Sequence, residues 1–253
     1  MSFDSKTDIL ALDFDGVIVD SIKECLVSGY NAYANYTHEK NIERYDDLDP
    51  HWVKCARAMR NYIRNGEDYV YIAHALANKI AVKSQRDFDD FAREHAALRQ
   101  SFFNFMLNHR IDFSESKPDL WAALNPLYEG MREFIVNYSN KNNFYIITTK
   151  KLLFVHKILA ANKIQLIREN IFDTSADKSK KEIIEDILRD RHIRPEQFYF
   201  IDDQVDTLIK VQATGVQCLL ATWGYNNPEQ RRLAENSTIE LLGLDRFIEE
   251  FSG

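Results

Sequence analysis

Residues 8–21 read DILALDFDGVIVDS, and this stretch decides the fold. Its apolar residues run straight into Asp13 and Asp15, which are followed at once by Gly16. A short apolar run closed by a turn signal is typical of a buried strand in a parallel sheet. Because ligands of open α/β sheets bind in the crevice outside the carboxyl ends of the strands, we expect both carboxylates to face such a crevice.

The spacing of the two acids indicates a binding role. Residues i and i+2 of an extended segment project from the same side, so Asp13 and Asp15 can reach one bound group together. Gly16 permits a sharp exit of the chain just after them. Two carboxylates this close repel each other unless a cation or a shared proton relieves them. The sequence therefore predicts a ligand site here rather than a packing pattern.

Size and composition limit the class of protein. The 253 residues, 45% of them hydrophobic, suffice for one large domain or for a core domain with an insertion. No run approaches the roughly 20 apolar residues of a membrane-spanning helix. The N-terminal MSFDSKTD lacks the features of a secretory signal. Because Cys25, Cys55 and Cys218 are odd in number and contain no CxxC pair, we expect reduced thiols and a cytoplasmic location.

The charge balance bears on partners. The formal net charge is −7, which argues against nucleic acid as the main partner, because proteins that bind the phosphate backbone present basic faces. We expect neither a nucleic-acid nor a membrane partner. An anionic substrate must instead be attracted by local charges and by a metal ion.

The two ends of the chain alternate between strand and helix patterns, whereas the middle is helical. A helix is predicted over residues 21–36, and apolar residues recur at helical spacing through residues 49–110, in three runs over residues 50–66, 67–80 and 86–110. Alternation resumes near Pro126. The later predicted helices cover residues 130–142, 151–162, 181–191 and 207–214, and the predicted strands cover residues 143–148, 171–173, 198–201 and 217–221.

Repeated strand–helix units imply a parallel sheet covered on both faces. We therefore predict an α/β fold with a Rossmann-like, doubly wound parallel sheet formed by residues 1–19 and 125–253. Residues 20–124 are predicted to be an inserted α-helical domain, placed over the carboxyl edge of the sheet.

Two features near the starts of predicted helices can bind or neutralise negatively charged groups. YIITTK places Thr148 at the end of a strand and at the entrance to a helix, where a hydroxyl and unpaired helix N–H groups make a phosphate seat. The alternative is an ordinary Thr N-cap. Residues 177–181, DKSKK, place cations where they oppose the helix dipole. A solvated charge run explains most of these lysines, but one of them can reach inward to neutralise the carboxylates.

A second acidic pair follows a later strand. FYFIDDQVD puts Asp202 and Asp203 directly after an apolar run, where buried and unpaired acids are costly. A metal ion would account for both. The alternative is that one acid caps the following helix while the other is solvated.

Three arginines of the middle segment, Arg57, Arg60 and Arg64, lie at near-helical spacing. They are candidates for recognition of an anionic substrate. A solvated helix face with paired charges is the alternative.

Together these residues resemble the haloacid dehalogenase superfamily, particularly members similar to phosphoglycolate phosphatase and β-phosphoglucomutase. The first motif of the family, DxDGxxxD, is matched by DFDGVIVD at residues 13–20. The second motif, an apolar strand ending in Thr or Ser, is matched by YIIT ending at Thr148, and the fourth by FIDD at residues 200–203. The resemblance implies that residues 20–124 are a helical cap domain.

The third motif of the family supplies a lysine. Similarity to members that read K-x-x-apolar-apolar favours Lys180, whereas the Lys-Pro-x-Pro version would select Lys178, and those prolines are absent. Asp202 stands where many members carry a glycine, as in the variant with an acidic pair. Thr207 stands where some members carry an acid.

The resemblance implies a Mg²⁺-dependent phosphatase that hydrolyses a small phosphorylated metabolite through an aspartyl-phosphate. The implied catalytic residues are Asp13 as nucleophile, Asp15 as acid and base, and Thr148 and Lys180 as ligands of the phosphoryl oxygens. The implied Mg²⁺ ligands are Asp13, the backbone carbonyl of Asp15, and Asp203, with Asp202 nearby.

Two other functions remain open from the sequence. A phosphomutase of the β-phosphoglucomutase type uses the same aspartyl-phosphate but returns the phosphoryl group to a sugar. A catalytically silent binding protein retains the fold without turnover. The reaction products distinguish a phosphomutase from a phosphatase. Binding of Mg²⁺ would argue against a catalytically silent binding protein.

Overall fold

A computed structural model describes residues 3–174 and 178–252. The chain divides into two compact units. The first, termed the core unit, comprises Met1–Asp20 and Pro126–Gly253, and the second, termed the helical unit, comprises Ser21–Asn125. None of the helices in the described residues is both long and apolar enough to cross a membrane.

The core unit is built on one six-stranded sheet with the order β3-β2-β1-β4-β5-β6, in which every neighbouring pair is parallel. The strands are β1 (Ile9–Leu12), β2 (Phe144–Thr148), β3 (Ile171–Asp173), β4 (Phe198–Asp202), β5 (Gln217–Ala221) and β6 (Glu240–Leu242). The order reverses between β1 and β4, which makes their carboxyl ends the switch point of a doubly wound sheet. The predicted fold class is confirmed.

The helical unit contains six α-helices among its described residues. They are α1 (Ile22–Thr37), α2 (Pro50–Met59), α3 (Asp68–Ala77), α4 (Gln85–Glu94), α5 (Arg99–Ser116) and α6 (Pro118–Ala123). Glu24 of α1 and Arg110 of α5 form a buried pair with two hydrogen bonds of 3.0 and 2.9 Å. Ser28 also donates to Glu24, at 2.6 Å.

Among the described residues of the core unit, six α-helices cover the sheet. They are α7 (Met131–Asn137), α8 (Leu152–Ala161), α9 (Lys180–Arg191), α10 (Val205–Gln212), α11 (Pro228–Asn236) and α12 (Leu244–Phe251). All residues of β1, β2 and β4 are buried, as expected for strands covered on both faces.

Alternate strand residues pack on opposite sides. One face joins a core cluster with α9 and α10, whose members include Ile9, Ala11, Tyr145, Ile147, Phe200, Ile184 and Leu208. On the other face Phe134 of α7 lies with its ring 4.5 Å from that of Phe247 and 6.5 Å from that of Phe144.

Several predicted helix boundaries are wrong. The helix predicted over residues 130–142 ends at Asn137, where the next residue, Tyr138, is buried and donates its hydroxyl to the Phe251 carbonyl. The helix predicted over residues 207–214 begins two residues earlier, at Val205. The helical pattern across residues 86–110 is two helices, and the break between them is held by Tyr71, whose hydroxyl donates to the carbonyl of His95 at 3.0 Å.

Candidate active site

The site begins where β1 and β4 end side by side. Leu12 pairs with Ile201 in register, and the next residue, Asp13, donates its backbone N–H to the Ile201 carbonyl at 2.9 Å. Asp202 is the last residue of β4 and Asp203 follows it. Parallel pairing therefore brings the first and second acidic motifs to one edge of the sheet, at its switch point.

Three carboxylates meet there. Asp13, Asp202 and Asp203 each offer an oxygen within 4.8 Å of the others, and all three residues are buried. We call this group the carboxylate cluster. Asp202 accepts a hydrogen bond from the backbone of Gln204 at 2.8 Å, and Asp203 accepts one from the backbone of Tyr225 at 2.7 Å.

The alternative interpretation of the acidic pair is wrong. It required one acid to cap the following helix and the other to be solvated, but both side chains are inaccessible. The N-cap of α10 is Gln204, which makes no side-chain cap bond. Burial of both acids is costly without a counter-charge.

Lys180 supplies one counter-charge. Its Nζ lies 2.8 Å from an oxygen of Asp13 and 2.8 Å from an oxygen of Asp202. Lys180 is the first residue of α9, and Ser179 before it forms a capping box with Glu182 that offsets the cost of a cation at a helix start. Lys178 pairs with Asp186 instead, and Asp177 of the same run lies outside the described residues.

The pKa values show that one lysine does not balance three acids. Burial raises the pKa of Asp13 to about 7; Lys180 opposes the rise, whereas Asp202 and Asp203 add to it. Burial alone would lower the pKa of Lys180, but Asp13 and Asp202 outweigh it and raise that pKa, which keeps the ammonium charged.

The carboxylate cluster fits a divalent cation. Its donors are hard carboxylate oxygens that lie close together out of water, which is the ligand type that Mg²⁺ and Ca²⁺ prefer. Burial and, to a smaller extent, the charges of Asp202 and Asp203 raise the pKa of Asp13, and a bound cation would oppose both effects. The side chain of Asp15 is not part of the cluster.

Asp15 is instead bound by a lysine that the sequence reasoning missed. Lys150 Nζ lies 3.0 and 3.2 Å from the two oxygens of Asp15, and the lysine side chain is fully buried. A signal did exist in TTK: a cation just before a helix opposes the helix dipole and so needs an anionic partner. The partner cannot be read from the sequence, because it lies 135 residues away.

Thr148 ends β2 and is buried. Its hydroxyl oxygen accepts a hydrogen bond from the backbone of Lys150 at 3.0 Å. The interpretation of Thr148 as an ordinary helix N-cap is wrong, because the N-cap of α8 is Lys151 and the first helical N–H, of Leu152, is bound by Asp173 at 3.0 Å. The threonine is therefore not used to start the helix.

The three candidate arginines belong to the helical unit and bind its other residues. Arg57 donates to the Tyr45 hydroxyl at 3.2 Å. Arg60 is buried, with its guanidinium 5.6 Å from the centre of the Tyr69 ring, so the solvated-face interpretation is wrong for it. Arg64 donates to two backbone carbonyls and, at 2.8 Å, to the side chain of a glutamine.

The sequence matches no protein-family model and no curated protein. Solved structures do match along nearly the whole chain. A protein from Haemophilus somnus described as a predicted phosphoglycolate phosphatase superposes with a TM-score of 0.60 at 14% identity, covering 98% of this chain and 99% of that one.

Two further structures give the same result. A predicted phosphatase from Clostridium acetobutylicum has a TM-score of 0.57 at 13% identity, covering 96% of this chain and 97% of that one. A haloacid dehalogenase-like hydrolase from Streptococcus pneumoniae has a TM-score of 0.57 at 16% identity, covering 95% of each chain. The chain therefore has the haloacid dehalogenase-like fold, and the resemblance carried by its motifs is confirmed for the fold.

Proposed function

We propose that this chain is a Mg²⁺-dependent phosphatase that hydrolyses a small phosphorylated metabolite through an aspartyl-phosphate. The main support is the position of Asp13, which lies beside a buried cation and two further buried acids at the switch point of the sheet. The similar structures described as phosphatases or hydrolases support the same class. We also propose that the helical unit is the cap that selects the substrate.

The proposed reaction has two steps. In the first, a carboxylate oxygen of Asp13 attacks phosphorus, the bond from phosphorus to the ester oxygen breaks, and Asp15 gives its proton to the leaving oxygen. In the second, Asp15 takes a proton from water, the water oxygen attacks phosphorus, and the Asp13–phosphate bond breaks. The products are an alcohol and inorganic phosphate, and both acids return to their starting states.

The surrounding residues make these steps feasible. The Lys180 ammonium favours the ionised form of Asp13 against the effect of burial, and the nucleophile must be ionised. Lys180 and the Thr148 hydroxyl are proposed to bind phosphoryl oxygens, where positioning and charge stabilisation supply most of the rate. Lys150 fixes the position of the Asp15 side chain, which gives a proton in the first step and takes one in the second.

Asp13, Asp202 and Asp203, with the backbone carbonyl of Asp15, are the oxygens that would hold Mg²⁺. When bound, the ion supplies positive charge that offsets the acids and the phosphoryl oxygens. The burial of these donors explains why a single lysine is not enough.

Substitution of the nucleophile tests the function. Phosphate release is measured over a panel of phosphorylated metabolites with excess Mg²⁺. We expect D13N to lower turnover by at least about a thousandfold, because it removes the attacking oxygen's charge. D8N is the matched control, since Asp8 precedes the same strand at its other end and binds the backbone of Asp4.

The products separate the remaining functions. Release of inorganic phosphate supports a phosphatase, whereas an isomerised sugar phosphate identifies a phosphomutase. Acid quenching during turnover should trap phosphate on the wild-type protein and not on D13N. High activity of D13N would contradict the assignment of Asp13, and absence of both turnover and Mg²⁺ binding would identify a binding protein.

A further inference from the structure

Asp20 is the one acid of the first motif to which the proposed chemistry gives no role. Its carboxylate accepts a hydrogen bond of 2.7 Å from the Tyr225 hydroxyl, across 205 residues of sequence. The backbone N–H of the same Tyr225 donates to Asp203, also at 2.7 Å. One tyrosine thus binds both the end of the first motif and a carboxylate of the cluster.

Tyr225 belongs to residues 222–226, TWGYN, between β5 and α11, which we call the brace loop. Its Trp223 donates through the indole N–H to the carbonyl of Val17 at 3.0 Å. Its Asn226 donates to the backbone carbonyl of Asp203 at 3.3 Å. The brace loop is therefore bonded on one side to the first motif and on the other to Asp203.

The contact is too close for any side chain between the segments. A Cβ added to Gly224 would lie 2.3 Å from the Gly16 carbonyl oxygen and 2.4 Å from the Asp203 Cβ. A Cβ added to Gly16, whose φ is +87°, would lie 2.2 Å from a carboxylate oxygen of Asp203. Because these backbones touch, the position of Asp203 relative to the first motif depends on the brace loop.

We infer that the brace loop positions Asp203 for cation binding, and that Tyr225 is the residue that ties this carboxylate to Asp20. The inference rests on the proposed function for the identity of the ion. Groups that bind a metal's ligands orient those ligands, and their loss commonly lowers metal affinity ten- to a hundredfold. Tyr225 is a positioning residue in this sense and takes no part in proton transfer.

The test measures Mg²⁺ affinity directly, by calorimetric titration of the full chain. We expect Y225F to lower the affinity by about tenfold, because the ring loses its anchor on Asp20. Y138F is the matched control: it removes a different tyrosine hydrogen bond in the core unit, from Tyr138 to the Phe251 carbonyl, away from the cluster. Y138F should lower the melting temperature but not the Mg²⁺ affinity.

A double-mutant cycle tests whether the effect arises from the hydrogen bond between Tyr225 and Asp20. D20A should lower the affinity as much as Y225F, and the double variant should lower it no further. D20N keeps an acceptor oxygen and should restore most of the affinity. These outcomes measure binding alone, so they do not depend on turnover.

The inference would be overturned by a Mg²⁺ affinity of Y225F within about twofold of the wild type, or by equal losses of Mg²⁺ affinity in Y225F and Y138F. A wild-type protein that does not bind Mg²⁺ would overturn it too, even if phosphate release occurs without the ion. A wild-type protein that binds Mg²⁺ but releases no phosphate would refute only the proposed function.

Discussion

Lys150 shows how a single buried residue can restrain the position of an acidic side chain. Its ammonium contacts both oxygens of Asp15, and its own backbone N–H binds the Thr148 hydroxyl. The side chain of Asp15 keeps 23% of its surface exposed, whereas that of Lys150 keeps none. The lysine therefore holds the carboxylate from the protein side and leaves it accessible to a bound substrate.

Replacement of Lys150 by methionine should affect substrates according to their leaving group. A poor leaving group such as an alkoxide needs a well-placed acid, whereas p-nitrophenolate needs little help. We expect K150M to lower kcat for an alkyl phosphate by at least about tenfold more than kcat for p-nitrophenyl phosphate. Steady-state kinetics on both substrates measure this difference.

The D15N variant is the reference for that experiment. Because Lys150 acts through Asp15, adding K150M to D15N should change little. Equal losses on both substrates would mean that Lys150 supports only the fold.

Sequence reasoning selected candidate residues whose signal is local. Asp13, Thr148 and the acidic pair each end an apolar run, and the parallel sheet brings such ends together. Lys150 and Tyr225 were missed because their importance lies in contacts 135 and 205 residues away. A single sequence does not indicate which distant residue a polar loop residue will contact in the folded protein.

Within the helical unit, the Glu24–Arg110 pair joins α1 to α5. Both side chains are withdrawn from water, and two hydrogen bonds link them. Removing one partner of such a pair leaves a buried charge without its counter-charge, which costs about 3–5 kcal/mol.

R110A should accordingly lower the free energy of unfolding by about 3–5 kcal/mol, read from the shift of the urea midpoint. R93A is the control, since Arg93 forms an ion pair with Asp90 on the surface of α4 and should change stability by no more than about 1 kcal/mol. Comparable losses in the two variants would show that burial adds nothing to the Glu24–Arg110 pair.

Strands and helices with strong hydrophobic patterns in the sequence were predicted more accurately than those with weak patterns. β2 and β4 were found to within one residue because they are continuous apolar runs. The end of α7 was missed because it depends on Tyr138, whose ring lies 5.0 Å from that of Phe144 and whose hydroxyl binds the Phe251 carbonyl. The break between α4 and α5 likewise depends on a hydroxyl from α3.

At the scale of the whole molecule, the buried acids that would bind a cation lower the stability of the protein when no cation is bound. A protein without the ion must bury three acids against one lysine. The cost of burying the ionised carboxylate is reflected in the pKa of Asp13, which burial raises from 3.8 to about 7. Binding of a divalent cation is expected to recover this free energy.

The raised pKa of Asp13 predicts that the free energy of unfolding depends on pH. Because the pKa of Asp13 is higher in the folded than in the unfolded chain, the folded state takes up a proton between about pH 4 and pH 7. The stabilising effect of that proton is complete below about pH 4 and is lost as the pH rises through 7. D13N cannot ionise, so in EDTA it should be more stable than the wild type, by a margin that grows between pH 5 and pH 8 by on the order of 1.4 kcal/mol per pH unit until the pH passes about 7.

Mg²⁺ should narrow this difference in stability. At pH 8 a concentration about a hundredfold above Kd should stabilise the wild type by about 2.7 kcal/mol and D13N by less, since the variant lacks one charged ligand. Chemical unfolding at both pH values, with EDTA or with Mg²⁺, measures all four differences. If metal-free D13N were less stable than the wild type at pH 8, Asp13 would be a stabilising partner of Lys180, and the cluster would have no excess charge for a cation to neutralise.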